Sequence, residues 1–267
     1  DHGRTVTSLS ATSLTMSEAI NQALREALDR PEPLMLIGQD IGPYGGAFGV
    51  TRGLAEAYGE EKVRDTPLCE SATVGYAIGL AITGVRAVCE IEFFDFVGVA
   101  MDQIFNQAAK LHYFTGGKLT VPLVIRTPIV SRMGMGPQHS QSLESWFMHV
   151  PGIKIAIPSN AADAYGLLRT ALSDNNPVLF VENVRLYGRR AEVDRAAFAA
   201  LRDVLPDVDL VGLAVVVGDD HVLHVERSVG HLEFDLAEVV ERALHDNRVV
   251  VRCVIGVRLP DQAPLSS

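Results

Sequence analysis

Residues 70–96 read ESATVGYAIGLAITGVRAVCEIEFFDF. From Ser71 to Thr83 the residues are small or apolar and uncharged, over a length that suits a helix rather than a strand. Gly75 and Gly79 lie about one turn apart in this segment. Glycine costs stability in a helix interior, a cost that close approach of another helix or a ligand would offset. Ala87 to Ile91 then reads as a short, fully buried strand. Helix followed at once by an apolar strand is the repeating unit of a parallel sheet.

The same alternation extends outward in both directions. Upstream, Thr15-Met16-Ser17-Glu18 has the form of a capping box, in which a hydroxyl and a carboxylate satisfy each other's backbone donors. Ile20, Leu24 and Leu28 follow at helical spacing, and Pro31 and Pro33 end the helix. Leu34 to Ile37 reads as a buried strand ending at Gly38, and Asp40 to Gly53 as a glycine-rich loop. Downstream, the pattern predicts a helix over Val97–His112 and strands over Pro122–Arg126 and Gly152–Ile157. A helix over Asn160–Ser173 capped by Ser159, and a strand over Val178–Val181, complete the series. The expected fold is α/β, a parallel sheet flanked by helices on both faces, over residues 14–190.

After Arg190 the texture changes. Residues 191–206 read as an acidic linker helix, 213–217 and 249–255 as strands, and 234–245 as a helix between them. Residues 191–267 are therefore expected to form a short C-terminal α/β unit. They hold seven arginines, no lysine and 14 acidic residues.

The 267 residues are 48% hydrophobic and 21% charged, a folded and soluble composition. The formal net charge of −10 argues against a nucleic-acid binder, which needs a basic stripe. No apolar run reaches the roughly 18 residues of a membrane span. The first 15 residues lack an apolar core and do not read as a secretory signal, and the chain opens on Asp1 rather than an initiator methionine. Cys69, Cys89 and Cys253 are widely spaced, which suits a reducing cytoplasm rather than a disulfide framework or zinc site.

Several residues carry possible chemistry. Glu70, at a loop-to-helix junction, reads either as a catalytic acid or base or as a solvated residue at a helix N-terminus. Glu90, Glu92 and Asp95 interleave with Phe93, Phe94 and Phe96, either as a stacking platform for a heterocycle or as ordinary core aromatics beside solvated acids. His139, in the polar loop around Gln138–Gln141, reads as a proton shuttle or as a structural histidine. The glycines at 42, 45, 46 and 49 form neither a dinucleotide fingerprint nor a P-loop. His221, His224 and His231 lack cysteine partners and make a poor metal set.

Taken together and in order, these segments closely resemble one family. Ile41-Gly42-Pro43-Tyr44-Gly45-Gly46-Ala47-Phe48, Asp65-Thr66-Pro67 with Glu70, and the run from Glu90 to Phe96 carry the first half of the likeness. Asp102 to Lys110, Gln138 to Leu143, and Glu182-Asn183 before Leu186-Tyr187-Gly188 carry the second. The sequence resembles the β subunit of the thiamine-diphosphate-dependent 2-oxo acid dehydrogenases over about residues 14–190. The wording around Phe96 and Gly116-Gly117-Lys118 looks most like the acetoin dehydrogenase branch, with pyruvate and branched-chain members close.

The resemblance implies a transketolase-like pyrimidine-binding domain whose subunit grips the aminopyrimidine of thiamine diphosphate. An α subunit in an α2β2 heterotetramer would supply the diphosphate and Mg2+ ligands, so no metal ligand is expected in this chain. Glu70 matches the glutamate that hydrogen-bonds a pyrimidine ring nitrogen and promotes the imino tautomer, which deprotonates the thiazolium carbon. That chemistry calls for a carboxyl with a raised pKa. Phe96 matches the aromatic packed on the pyrimidine, and His139 the histidine near substrate and the incoming lipoyl group. A lipoyl acyltransferase would then be a further partner, and a 2-oxo acid or acetoin the substrate. Only 77 residues follow Arg190, where the family has a C-terminal domain of well over a hundred. Gly218-Asp219-Asp220 faintly echoes the magnesium motif and reads as a strand-end turn. The alternatives are a split transketolase-like carboligase subunit and a catalytically inactive structural partner.

Overall fold

In the computed structural model, residues 11–194 and 254–255 are described. The first helix, α1 (Met16–Leu28), forms as its sequence dictates. Thr15 Oγ1 accepts from the Glu18 N–H at 3.2 Å and Glu18 Oε2 from the Thr15 N–H at 2.8 Å. Such a cap is worth about 1 kcal/mol. Met16, Ile20, Leu24 and Leu28 lie on one face and are fully buried.

The strands are β1 (Thr12–Thr15), β2 (Leu34–Gly38), β3 (Val63–Asp65), β4 (Arg86–Glu90), β5 (Leu123–Ile129), β6 (Lys154–Ala156), β7 (Val178–Asn183), β8 (Arg190–Val193) and β9 (Val254–Ile255). The main sheet runs β3-β2-β4-β5-β7-β6-β9, parallel throughout except for β9, which pairs antiparallel with β6. Strands β1 and β8 form a separate antiparallel pair.

Helices cover both faces, as expected. Along each strand alternate residues go to opposite sides. Leu36, Val88, Val124 and Phe180 join α1 and α6 (Ala161–Ala171) in one core cluster. Ile37, Cys89, Ile125 and Val181 join α3 (Glu70–Ile82) in the other. The remaining helices are α2 (Leu54–Tyr58), α4 (Leu111–Phe114) and α5 (Glu144–Phe147). No described helix is long and apolar enough to cross a membrane.

The structure corrects three expectations. The single helix over 97–112 is instead a 3₁₀ turn at Phe94–Gly98, a π-helical turn at Gln103–Ala108, and α4. The widened turn leaves the Ala109 carbonyl against Gly152, where any Cβ would collide with it. Helix α6 is capped by Asn160, whose side chain accepts from the Asp163 N–H at 2.9 Å, while Ser159 donates to the Asp163 carboxylate. Residues 191–193 lie in β8 rather than in a linker helix. Of the expected C-terminal elements, those at 213–217 and 234–245 lie outside the described residues, and 254–255 is a strand.

Candidate active site

Parallel sheets bind ligands at the carboxyl ends of their strands. Gly38, Asp65, Glu90, Ile129, Ala156 and Asn183 are those ends here. Beyond β2, the glycine-rich loop folds back on itself. Gly42 donates its N–H to Asp65 Oδ1 at 2.6 Å, and Thr51 Oγ1 donates to the Ile41 carbonyl at 2.8 Å.

Glu70 is the first residue of α3, half-buried, and its carboxyl accepts no hydrogen bond among the described residues. Thr66 and Thr73 share a hydroxyl hydrogen bond of 3.1 Å beside it, and Ser71 Oγ donates to the Val99 carbonyl. Gln39, Thr66, Glu70, Thr73, Glu90 and Glu92 are among the residues lining a small cleft at this edge. Burial raises the Glu92 carboxyl above the usual range, helped by the charges of Asp40, Glu90 and Glu70. Of the two glycines in α3 expected to meet a neighbour, both half-buried, Gly75 faces the Gln103 side chain and Gly79 has nothing within 4 Å of where a Cβ would stand.

The 90–99 segment ties this cleft to an aromatic wall. Phe94 is buried and stacks on Phe147 at 6.1 Å, a core role. Phe93 and Phe96 are half-buried, edge-to-face with each other at 5.9 Å. His139 meets both edge-on, at 4.7 Å from Phe93 and 5.2 Å from Phe96. Asp95 Oδ1 holds the histidine loop by accepting from the Gln141 backbone and side-chain N–H groups at 3.1 and 2.8 Å. The structure thus brings Phe96 and His139 into contact. Glu70 stands in the adjoining cleft and hydrogen-bonds neither.

Beneath the cleft lies a buried ionic network that the sequence reading left out. Arg126 donates from Nη1 to Glu90 Oε2 at 2.6 Å, and from Nε and Nη2 to the two Glu182 oxygens at 2.7 and 2.9 Å. Tyr187 donates to Glu182 Oε2 at 2.6 Å. Arg126 is 2% exposed, Glu182 0% and Glu90 7%. Burial opposes the charge on Arg126, but the Glu182 and Glu90 carboxylates outweigh it and keep the guanidinium ionised. Burial raises Glu90 despite Arg126, and Glu182 adds to the rise. Among the described residues, no group of three or more His, Cys, Asp or Glu side chains could hold a metal ion.

A parallel α/β sheet with a free carboxyl at a helix start and an aromatic wall beside it suits a heterocycle-binding domain. The chain belongs to the family described as the transketolase, pyrimidine binding domain, which matches residues 12–190. It is 39% identical over 229 residues to the pyruvate dehydrogenase E1 component subunit beta, mitochondrial, of Caenorhabditis elegans, covering 85% of this chain and 63% of that protein. A match that long runs on past Arg190. The human protein of the same name is 42% identical over 182 residues, covering 68% of this chain and 51% of its own length. The chain thus spans between about half and three-fifths of these relatives. A solved structure titled "Split gene transketolase, inactive beta4 tetramer" matches with a TM-score of 0.52 at 19% identity, over 64% of this chain and 51% of that one. That likeness bears on fold alone.

Proposed function

We propose that this chain is the pyrimidine-gripping β subunit of a thiamine-diphosphate-dependent 2-oxo acid dehydrogenase, which decarboxylates its substrate and passes the acyl group to lipoamide. The observation that carries the reading is Glu70: a half-buried carboxyl with no hydrogen-bond partner among the described residues, at a helix start, lining a cleft whose Glu92 directly precedes Phe93 of the Phe93–Phe96–His139 cluster. A carboxyl for a ring nitrogen and aromatic faces for a flat heterocycle form the donor set an aminopyrimidine needs. Thiamine diphosphate would supply the thiazolium carbon that attacks a 2-oxo acid carbonyl and holds the electrons left by decarboxylation.

Glu70 holds a proton at the pyrimidine ring nitrogen, and Phe96 packs the ring. His139 moves a proton at the cleft mouth, where the acyl group is handed on. Diphosphate and Mg2+ ligands come from an α subunit, in an α2β2 heterotetramer that a lipoyl acyltransferase would serve. Residues 14–190 form the pyrimidine domain and 191–267 a short C-terminal unit. The names of the relatives favour a 2-oxo acid over acetoin. Cys69 and Cys89 are both free, which supports a reducing compartment, the cytoplasm.

The test is Glu70→Gln in the chain assembled with its α-type partner. An amide in place of the carboxyl should cost about 3 kcal/mol or more in the barrier, over a hundredfold in rate. Thermal stability should hold, because Glu70 packs no core. Full activity with unchanged stability would overturn the assignment.

A further inference from the structure

We infer that Arg126, Glu182, Tyr187 and Phe48 are positioning residues: they fix Glu90 at the floor of the Glu70 cleft and His139 at its mouth through one connected chain of contacts, buried along its ionic arm and half-buried along its aromatic one. The inference rests on the reading of Glu70 and His139 as site residues. One arm of the chain is ionic. Glu182 binds Arg126 through both oxygens and also accepts from Tyr187, so all its strong bonds point inward. Arg126 then reaches Glu90 with its remaining Nη1. The Glu90 Oε1 atom makes no hydrogen bond among the described residues, and Glu90 lines the cleft.

The other arm is aromatic. Tyr187 meets Phe48 edge-on at 6.3 Å, Phe48 meets Phe93 at 5.8 Å, and Phe93 meets His139 at 4.7 Å. Tyr187 is therefore the branch point: its hydroxyl serves the ionic arm and its ring the aromatic one.

Two further facts favour a positional role over a stabilising one. A buried Arg–carboxylate cluster seldom adds stability over apolar side chains of the same volume, because desolvation cancels the attraction. Its neighbours on the same face of the sheet, such as Val88, Val124 and Phe180, are apolar. The backbone also makes room for Glu90: a Cβ at Gly38 would stand 3.0 Å from the Glu90 Cβ, and one at Gly46 would stand 3.4 Å from its Oε1.

Two variants cut one arm each. Tyr187→Phe keeps the ring and removes the hydroxyl; Phe48→Leu removes the relay ring and leaves the ions. Both are compared with wild type and with Glu70→Gln, in assembled enzyme for kinetics and in the isolated full chain for histidine NMR and melting. The expected result is a kcat about tenfold lower in each, with KM within twofold. Tyr187→Phe should also displace the pH–rate profile, since the titratable and charged groups facing Glu90 are Arg126, Glu182, Tyr187, Glu92 and Cys89, and the variant removes one of them. Phe48→Leu should move the His139 ring resonance, which sits between two aromatic edges. Melting curves that fall while kcat, pH profile and His139 resonance match wild type would overturn the inference and leave a structural role. If Glu70→Gln is inactive and both variants behave as wild type, the positioning inference alone fails. If Glu70→Gln is fully active, the underlying site assignment fails with it.

Discussion

Replacing Arg126 with Met should be the most damaging single change in the described core. The guanidinium is 2% exposed and provides two of the three hydrogen bonds to Glu182 and the single hydrogen bond to Glu90. Methionine fills much of the volume but leaves two buried carboxylates facing each other without a cation. Removing one partner of a buried ion pair costs about 3–5 kcal/mol, a large share of the 5–15 kcal/mol that holds a typical domain. The loss should depend on pH in a fixed direction. In the variant, burial raises the Glu90 carboxyl above the unfolded value of about 4.3 with no Arg126 to oppose the rise. A raised folded pKa contributes stability that is present below the unfolded value and lost as pH rises through the folded one. Urea unfolding of the full chain should therefore show a larger deficit at pH 8 than at pH 5. Adding Glu90→Gln and Glu182→Gln to Arg126→Met removes both charges and should restore at least half of the loss. A deficit under 1 kcal/mol at pH 8, or one equal at both pH values, would refute the reasoning.

The other expectations are briefer. Thr127 Oγ1 is buried without a hydrogen-bond partner among the described residues, so Thr127→Val should leave stability unchanged or raise it by about 1 kcal/mol in urea melts; a clear loss would reveal a partner for the hydroxyl. Glu92→Gln should flatten the fall in stability between pH 5 and 8, because burial and the Asp40, Glu90 and Glu70 charges raise the native carboxyl; parallel curves for variant and wild type would count against it. His139→Ala should impair transfer to a lipoylated domain more than reduction of an artificial electron acceptor. An equal fall in both assays would put His139 before the common intermediate.

Much of the fold was legible because its elements carry their own signals. Helix α1 has a cap, a period and a stop: it begins directly after Thr15 and ends at Leu28, three residues before Pro31. The apolar runs at 34–37, 87–89 and 178–181 read as strands buried on both faces, and each lies within one. What escaped was set by tertiary contact. Strands β1 and β8 are short and partly exposed, so neither carries a buried-strand pattern, and each exists because the other pairs with it. The segment 97–112 has helical composition, but its geometry answers to Gly152, more than forty residues away. A local period cannot report a distant glycine.

The site divides along the same line. Glu70, Phe96 and His139 stood out through a resemblance, and the structure sets the last two in contact and the first in the adjoining cleft. Arg126 went unnoticed, yet it had a signal. Three strands each end an apolar run on a charge: Ala87-Val88-Cys89-Glu90, Leu123-Val124-Ile125-Arg126 and Leu179-Phe180-Val181-Glu182. A charge that follows apolar residues in a parallel strand has no water to meet, so it must find an opposite charge. Two acids and one base that each follow an apolar run in neighbouring strands have each other as partners. The register seals it, since Glu90 pairs laterally with Arg126, and Arg126 with Phe180, two residues before Glu182 on the same face. The order of strands was the missing premise. With β4, β5 and β7 side by side, the cluster beneath the Glu70 cleft follows from the charges alone.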